Sequence, residues 1–508
     1  MFRWTGAIGI ALMALAARGA AAESFILLEP ARDAAGKALM QADAGGALLP
    51  VLKRAAETPV TQQARRVLAG GFAARIPAID AAARKAATEK PTCPALPEAV
   101  YVYLSDEDGG YARQRFFVTD ASGKPVLCED HFIDLTADEA SIASGEFEEV
   151  LAHEWGHVLL RRVLGPVPQT PSRKFHSVRT STDAVTAFDE GLGAHFQPVS
   201  ARLAQTPGYR ARIEGTAEPR LADFWFSRQE TWMRQALVPQ NRLVFDKDAP
   251  VAGSDAYARW VADETSVSFD ACRFKSGGQM VTSEGVAASF FYKLLAAEPA
   301  ALEGRYRQLV TVLARMKSWP TDRPALTVFV ETWGEAFPQE REAVTRLFVA
   351  TTHGATVSAR VAALQEKTAC AGASGDIETF LGLRKEAQAA LDGAVADVLA
   401  GRVALDAAVG QPVWLANPDV KIATAPWQGK RSAPVVVDLN TARAAELELL
   451  FTDTALAGKA AAIVQARAAG PFAELDDAAS RAGLGAAGLE ALRKAADAFA
   501  QVGAEARK

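Results

Sequence analysis

Five consecutive residues, His153-Glu154-Trp155-Gly156-His157, combine two side chains that can bind a metal ion with one that can move a proton. In a helix the two histidines, four residues apart, project from the same face, so both imidazoles can bind one ion. Glu154 directly follows the first histidine, where its carboxylate can take a proton from a water molecule at the metal. The pattern predicts a zinc site with His153 and His157 as ligands and Glu154 as general base.

The flanking residues predict that this pattern lies inside a helix of about 18 residues. Ser144 is a suitable N-cap, and Gly165 followed by Pro166 can end the helix. The apolar residues that recur at helical spacing around the pattern are Phe147, Val150, Leu151, Val158 and Leu159.

A catalytic zinc ion needs a third protein ligand and one open position. Glu190, which lies 33 residues after His157 in the segment Asp189-Glu190-Gly191, is the preferred third ligand. Two rivals stay open. His195 is either a ligand, a residue that supports the ligands, or a histidine on a helix surface, and Glu284 lies in a similar segment much farther along the chain.

The two segments together resemble the gluzincin metallopeptidases, in which the third ligand is a glutamate on a second helix, often in an Asn/Asp-Glu-Gly context. The resemblance covers roughly residues 98–200 and implies that Zn²⁺ is bound by His153, His157 and Glu190. Ala194 stands where the thermolysin-like branch has an aspartate, so that branch is not indicated. The resemblance also implies hydrolysis of peptide bonds, with a peptide or protein as the substrate.

This resemblance implies an α+β fold that is mostly helical, with a small sheet lying over the active helix of a zincin-like domain. An edge strand of such a sheet commonly pairs with an extended peptide. Gly191, Gly193 and Ala194 would let the two ligand helices approach closely. Strand-like runs before the motif occupy residues 99–104, 115–119 and 131–135.

A hydrolase of this class also needs a group that stabilises an oxyanion. The sequence does not choose among the candidates, which are Tyr209, Tyr257, Tyr292 and His353. His131, which begins a strand-like run, is expected to be a polar surface residue.

The N-terminus is typical of a secretory signal peptide. Arg3 supplies positive charge, residues 5–17 are small and apolar, and Ala20-Ala21-Ala22 offers a cleavage site that would remove residues 1–22. No other apolar run approaches the roughly 18 residues of a membrane span, so we expect a periplasmic or secreted protein without a membrane span after cleavage. The formal net charge of −5 gives no basic field for nucleic acid.

Four cysteines, Cys93, Cys128, Cys272 and Cys370, fit an exported protein that folds in an oxidising compartment. They allow three pairings, and free buried cysteines are the alternative. We prefer Cys93 with Cys128 and Cys272 with Cys370, because each pair then lies within one region of the chain.

Composition divides the mature chain into four parts. Residues 23–97 are rich in alanine with helical periodicity and predict an N-terminal helical region. Residues 98–400 form the predicted zincin-like domain. Its later part is predicted to be mostly helical, and the tryptophans there are expected to pack in a core. Residues 401–436 are a linker rich in proline and glycine, and residues 437–500 form a small all-α domain.

The tail resembles the ComEA-like helix-hairpin-helix family, whose two Gly-x-Gly hairpins present backbone N–H groups to DNA phosphates. At the first hairpin this chain has Thr452-Asp453-Thr454 instead, and Asp453 would repel a phosphate. Residues 437–508 contain eight Lys or Arg and ten Asp or Glu, a net charge of −2, whereas DNA-binding domains are normally basic. We therefore expect a protein partner rather than DNA. The segments that carry the resemblance are Val437-Asp438-Leu439-Asn440-Thr441, Gly470-Pro471-Phe472 and Gly483-Leu484-Gly485.

Two function classes stay open at this point. The first is an exported zinc metallopeptidase. The second is a non-catalytic exported binding protein that uses the same fold as a scaffold and whose tail binds protein or DNA. The intact Glu154 favours the enzyme, because a scaffold does not need a general base.

Overall fold

The computed structural model of this protein describes residues 24–88, 90–105, 110–119, 123–168, 184–215, 274–275, 277–320, 322–407, 421–423, 436–440, 444–451 and 454–505. The predicted signal peptide 1–22, Cys272 and most of the predicted linker 401–436 lie outside these ranges. The fold is α+β and mostly helical, as predicted, with one six-stranded mixed sheet followed by many helices. Among the described helices, none has the length and hydrophobicity that crossing a membrane requires.

The sheet has the strand order β1-β4-β6-β5-β3-β2, and β1 also pairs with β3. Strands β1 and β6 lie parallel to β4, whereas β5 runs antiparallel to β6 and parallel to β3. The strands are β1 (Phe25–Pro30), β2 (Met40–Ala42), β3 (Leu48–Arg54), β4 (Val100–Ser105), β5 (Gly110–Thr119) and β6 (Pro125–Thr136).

The prediction of a helical region over residues 23–97 is wrong for its first half. Residues 25–54 form β1, β2 and β3, and only helices α1 (Pro59–Leu68) and α2 (Ile76–Ala86) follow the prediction. The reason is tertiary pairing: β1 pairs with β4 and β3 pairs with β5, so strands before residue 98 share one sheet with strands after it. A short apolar run such as Phe25–Pro30 is also ambiguous between buried helix and buried strand.

Both faces of the sheet are covered, as the alternation of side chains along β1 indicates. Phe25 and Leu27 face the large core shared with the helices, whereas Ile26 and Leu28 face a smaller cluster. The predicted disulfide Cys93–Cys128 borders this smaller cluster. Cys370 is disulfide-bonded as well, and its predicted partner lies outside the described residues.

The helix predicted from the metal-binding pattern is α4 (Glu146–Leu164), 19 residues long. It follows helix α3 (Glu139–Ser144) directly, and Gly145 between them adopts a left-handed φ of 84°. The prediction of Ser144 as the N-cap is wrong: Gly145 is the N-cap and Ser144 ends α3, although its Oγ accepts a hydrogen bond from the Glu146 N–H at 3.3 Å. Gly165 ends the helix as predicted, with a positive φ that favours glycine.

The second ligand helix is α5 (Ala184–Leu203), and its described residues up to Ala201 are all buried. It packs between α4 and helix α8 (Glu284–Leu295), and these helices enclose the main core with the predicted tryptophans Trp319 and Trp333. The remaining helices of this region are α6 (Pro207–Gly215), α7 (Gly277–Val281), α9 (Leu302–Met316), α10 (Ala325–Ala336), α11 (Arg341–Thr351), α12 (Ala359–Ser374) and α13 (Ile377–Leu399).

The C-terminal part has a hydrophobic cluster of its own, built from residues such as Leu439, Phe451 and Leu492. It contains the small strand pair β7 (Lys421–Ala423) and β8 (Val436–Asp438). Its helices are α14 (Ala444–Phe451), α15 (Ala460–Arg467), α16 (Leu475–Arg481) and α17 (Gly485–Glu505).

A buried ion cluster holds the C-terminal end of α4 against α2 and β6. Arg162 of α4 contacts Asp80 of α2 at 3.2 Å and Asp130 of β6 at 2.8 Å. Arg84 of α2 bonds the same two carboxylates and donates to the Ala99 carbonyl. Burial opposes the charge of Asp130, but the two arginines and a hydrogen bond from the backbone N–H of His131 outweigh it, and the pKa of Asp130 lies well below the usual value.

Helices α4 and α5 cross where both carry glycine. A Cβ added to Gly156 would lie 2.8 Å from the Cα of Gly193 and 3.0 Å from the ring of Phe196. The predicted close approach is therefore made by Gly156 and Gly193. Gly191 instead faces α8, where an added Cβ would meet Ala287 at 2.5 Å.

Replacing Gly156 with alanine should force α4 and α5 apart. We expect Gly156→Ala to lower the free energy of unfolding of metal-free protein by about 1–3 kcal/mol, measured by urea denaturation. Gly304→Ala in α9 is the matched control, because an added Cβ there meets nothing within 4 Å. Alanine should stabilise that exposed helical position by up to about 1 kcal/mol. Equal effects of the two substitutions would contradict the role of the crossing.

Candidate metal centre

The two histidines of α4 present their ring nitrogens to one point. The Nε2 atoms of His153 and His157 lie 3.1 Å apart, and the rings meet edge to face. This is the arrangement that the four-residue spacing predicts. Trp155, two residues beyond His153, points to the opposite side and packs in the core against Phe72 and Phe196.

Helix α5 brings Glu190 to the same point. Its Oε2 lies 3.3 Å from the Nε2 of His153 and 3.3 Å from the Nε2 of His157. Ligands about 2.0–2.1 Å from a tetrahedral zinc ion are separated from one another by about 3.3–3.4 Å. The three atoms have the spacing of ligands around one ion, and two overlapping groups, His153-Glu154-His157 and His157-Asp189-Glu190, could hold a metal ion.

Asp189, next to Glu190, contacts the ring of His157 at Nδ1, on the side away from Nε2. Its Oδ1 accepts a hydrogen bond at 2.7 Å from Nδ1 of His157, and Nε2 of that ring faces Glu190. Asp189 also forms a possible metal-binding group with His157 and Glu190. If His157 binds the ion through Nε2, Asp189 on the Nδ1 side orients the ring instead of binding the ion. Sequence reasoning gave Asp189 no role, although metal-binding histidines commonly carry such a carboxylate partner.

The two carboxylates next to His157 favour a positive charge at this place. Burial disfavours the charged imidazolium, but the carboxylates of Asp189 and Glu190 outweigh it and raise the pKa of His157 to about 10. The group therefore binds a proton well above neutral pH when no other cation is present. A metal ion would satisfy the same two carboxylates.

Glu154 lies beside the ligands and under the first residue of β5. One of its carboxylate oxygens lies within 4.8 Å of ring nitrogens of His153 and His157. The residue is 9 % exposed. A Cβ added to Gly110 would lie 3.0 Å from Cγ of Glu154 and 2.2 Å from the side chain of Val150. A glycine at this position lets the strand pass directly over the helix.

Neither rival ligand joins this cluster in the described part of the chain. His195 is fully buried rather than on a helix surface: its Nε2 lies 3.1 Å from the hydroxyl of Tyr306, and burial lowers its pKa to about 3. Glu284 begins α8, and its backbone carbonyl packs against Gly191. The prediction of a surface position is also wrong for His131, which is buried in β6.

The candidate oxyanion-stabilising residues are distributed over several elements. The hydroxyl of Tyr209 donates to the carbonyl of Gln197, and the hydroxyl of Tyr292 accepts from Arg202 at 3.1 Å. The ring of His353 stacks against Phe274, and Tyr257 lies outside the described residues. The contacts of the three described candidates therefore assign none of them to the metal centre.

Comparison with protein-family models, with curated proteins and with solved structures finds no match for this chain. Its function must therefore be inferred from the residues of the site and their geometry.

Buried acidic residues one turn before the ligands make the stability of this region depend on pH. Burial raises the pKa of Glu148 to about 7, although a hydrogen bond from Thr206 acts in the opposite direction. In the unfolded chain a glutamate titrates near pH 4.3, so the folded state binds the proton more tightly. The resulting stabilisation is complete below about pH 4.3 and is lost as the pH rises through about 7.

We expect Glu148→Gln to remove this loss, which amounts to about 3 kcal/mol at most between pH 4.5 and 8. The measurement is urea denaturation at a series of pH values within that window. Glu386→Gln, at an exposed position of α13, is the matched control and should leave the pH profile unchanged. A profile that Glu148→Gln does not flatten would mean that Glu148 is already ionised in the folded protein.

Proposed function

We propose that this protein is an exported zinc metallopeptidase, with Zn²⁺ bound by His153, His157 and Glu190. The observation that carries the proposal is the convergence of three ligand atoms at 3.1–3.3 Å, with a fourth group, Glu154, beside them. A zinc ion with three protein ligands and an open position supplies Lewis acidity and lowers the pKa of water from about 16 to about 7.

Glu154 has the position of a general base and acid. Its carboxylate lies within 4.8 Å of the ring nitrogens of His153 and His157, close enough to exchange a proton with a water bound at the metal. In peptide hydrolysis it takes a proton from the attacking water and gives it to the leaving amine. A residue that only supported the fold would not need to be a partly accessible carboxylate at this place.

The substrate we propose is a peptide or protein segment in extended form. Residues 110–116 of β5 pair with β6 on one side, whereas β3 pairs on the other side only with Phe117 and Val118. The pairing of β5 with β3 ends at Phe117, so the strand is an edge of the sheet toward Gly110, which packs next to Glu154. An extended peptide can add to such an edge by backbone hydrogen bonds.

Export and partner binding complete the proposal. The disulfide Cys93–Cys128 fits a protein that folds in an oxidising compartment, and we infer a periplasmic or secreted location. The C-terminal part has its own hydrophobic core, and its residues carry more acidic than basic groups. We infer that it binds a protein partner, which brings the enzyme to its substrate.

The metal content of the purified protein tests the ligand set. We expect about one zinc per chain in the wild type and a large loss in Glu190→Gln, because an amide is a poor zinc ligand. Glu284→Gln is the matched control: it changes the rival, equally buried carboxylate and should leave zinc bound. The measurement is mass spectrometry of the metal after zinc has been offered and excess removed. Wild-type protein without zinc would rule the proposal out.

The role of Glu154 is tested separately from metal binding. We expect Glu154→Gln to keep its zinc and to lower kcat for a cleaved peptide by about 10²- to 10⁴-fold, because the amide cannot accept the proton. Cleavage is followed with fluorescence-quenched peptides, beside a zinc measurement on the same sample. Full activity in Glu154→Gln would exclude the mechanism while leaving the metal site intact.

A further inference from the structure

A second concave site lies between strands β5 and β6 and the C-terminal end of α4. The cavity has a volume of about 540 Å³, and the segment after α2 and Lys317 after α9 complete its wall. None of the metal-centre residues His153, Glu154, His157 and Glu190 lines it. It is therefore a separate site on the described surface.

The lining is strongly basic, with five cationic side chains and one acidic side chain, Glu129. Two of the cations are neutralised: Arg162 by the buried ion cluster and Arg115 by Asp43 at 2.6 Å. The five cations are Lys90, Arg115, Arg161, Arg162 and Lys317.

Lys90, Arg161 and Lys317 form no ion pair with any other described residue. When Glu129 is counted against them, the cavity keeps two positive charges that no carboxylate of the described chain balances. Lysine and arginine converge in this way where a protein binds phosphate or carboxylate groups.

Two features of β5 and β6 distinguish this pocket from an ordinary sheet surface. Arg115 has a φ of 71°, which is rare for a residue other than glycine, and the pairing register shifts between Gln114 and Phe116. His131 is buried, and its Nδ1 has no hydrogen-bond partner among the described residues. The nearest carboxylate oxygen, on Asp130, is 3.8 Å away, which is too far for a hydrogen bond.

We propose that this pocket binds a small, multiply charged anion that carries phosphate or carboxylate groups. Lys90, Arg161 and Lys317 supply the unbalanced charge. The proposal does not depend on zinc binding, because no metal ligand contributes to the cavity.

Arg161 links the pocket to the strand over the metal centre. Its guanidinium donates to the carbonyl of Ala112, two residues after the Gly110 that packs on Glu154. An anion bound to Arg161 competes with the Ala112 carbonyl for the guanidinium N–H groups. Binding of an anion in the pocket therefore weakens the contact that holds β5 to α4.

Isothermal titration calorimetry of the full chain with inorganic pyrophosphate, and separately with citrate, tests the proposal. The informative protein carries Lys90→Gln together with Lys317→Gln, both at exposed positions whose replacement does not disturb the core. The matched control carries Lys367→Gln with Lys385→Gln, which removes the same charge at exposed positions outside the cavity. We expect saturable binding that is about tenfold weaker in the first double variant and unchanged in the control.

Binding of pyrophosphate alone would identify phosphate groups as the ligand chemistry, and binding of citrate alone would identify carboxylates. Binding of one anion or of both supports the proposal if that binding is weaker in the first double variant than in the wild type. The proposal is overturned if neither anion binds saturably. It is also overturned if wild type and both double variants bind equally, as chelation at the metal centre or general attraction would produce.

Discussion

The metal centre depends on how closely α4 and α5 approach each other. Three ligand atoms meet only because Gly156 and Gly193 bring the two helix backbones into contact. His153 and His157 are fixed relative to each other by the helix itself, but Glu190 reaches them only at this separation. Even one methyl group at the crossing would exceed the space available. The small residues are therefore as necessary to the site as the ligands.

The position of α4 is in turn fixed at both ends by polar contacts that are costly to break. Near its start, Glu149 accepts a hydrogen bond from Gln197 of α5 at 3.1 Å. At its end, Arg162 shares two buried carboxylates with Arg84. Removing one partner from such a buried cluster leaves an uncompensated charge, at a cost of about 3–5 kcal/mol. These contacts determine the register of the helix against α2, α5 and the sheet, whether or not a metal is bound.

The sequence predicted the parts of the site that depend on local spacing. The helical positions of His153 and His157 follow from a four-residue repeat, and Gly165 ends the helix as expected. Asp189 was missed because its role depends on the direction in which α5 crosses α4. Residues 25–54 were misread for a related reason: their strands are stabilised by pairing with β4 and β5, distant in sequence. Local periodicity carries no information about such pairing.

The distribution of charge along α4 connects the two sites. Glu146, Glu148 and Glu149 occupy its first turn and Arg161 and Arg162 its last, an order that suits the helix dipole. The basic end of the helix supplies Arg161 and Arg162 to the wall of the cavity. The strand β5 runs past both sites, with Gly110 over Glu154 and Ala112 bonded to Arg161. One helix and one strand therefore border both the candidate metal centre and the proposed anion pocket, so a shift of β5 would change both sites.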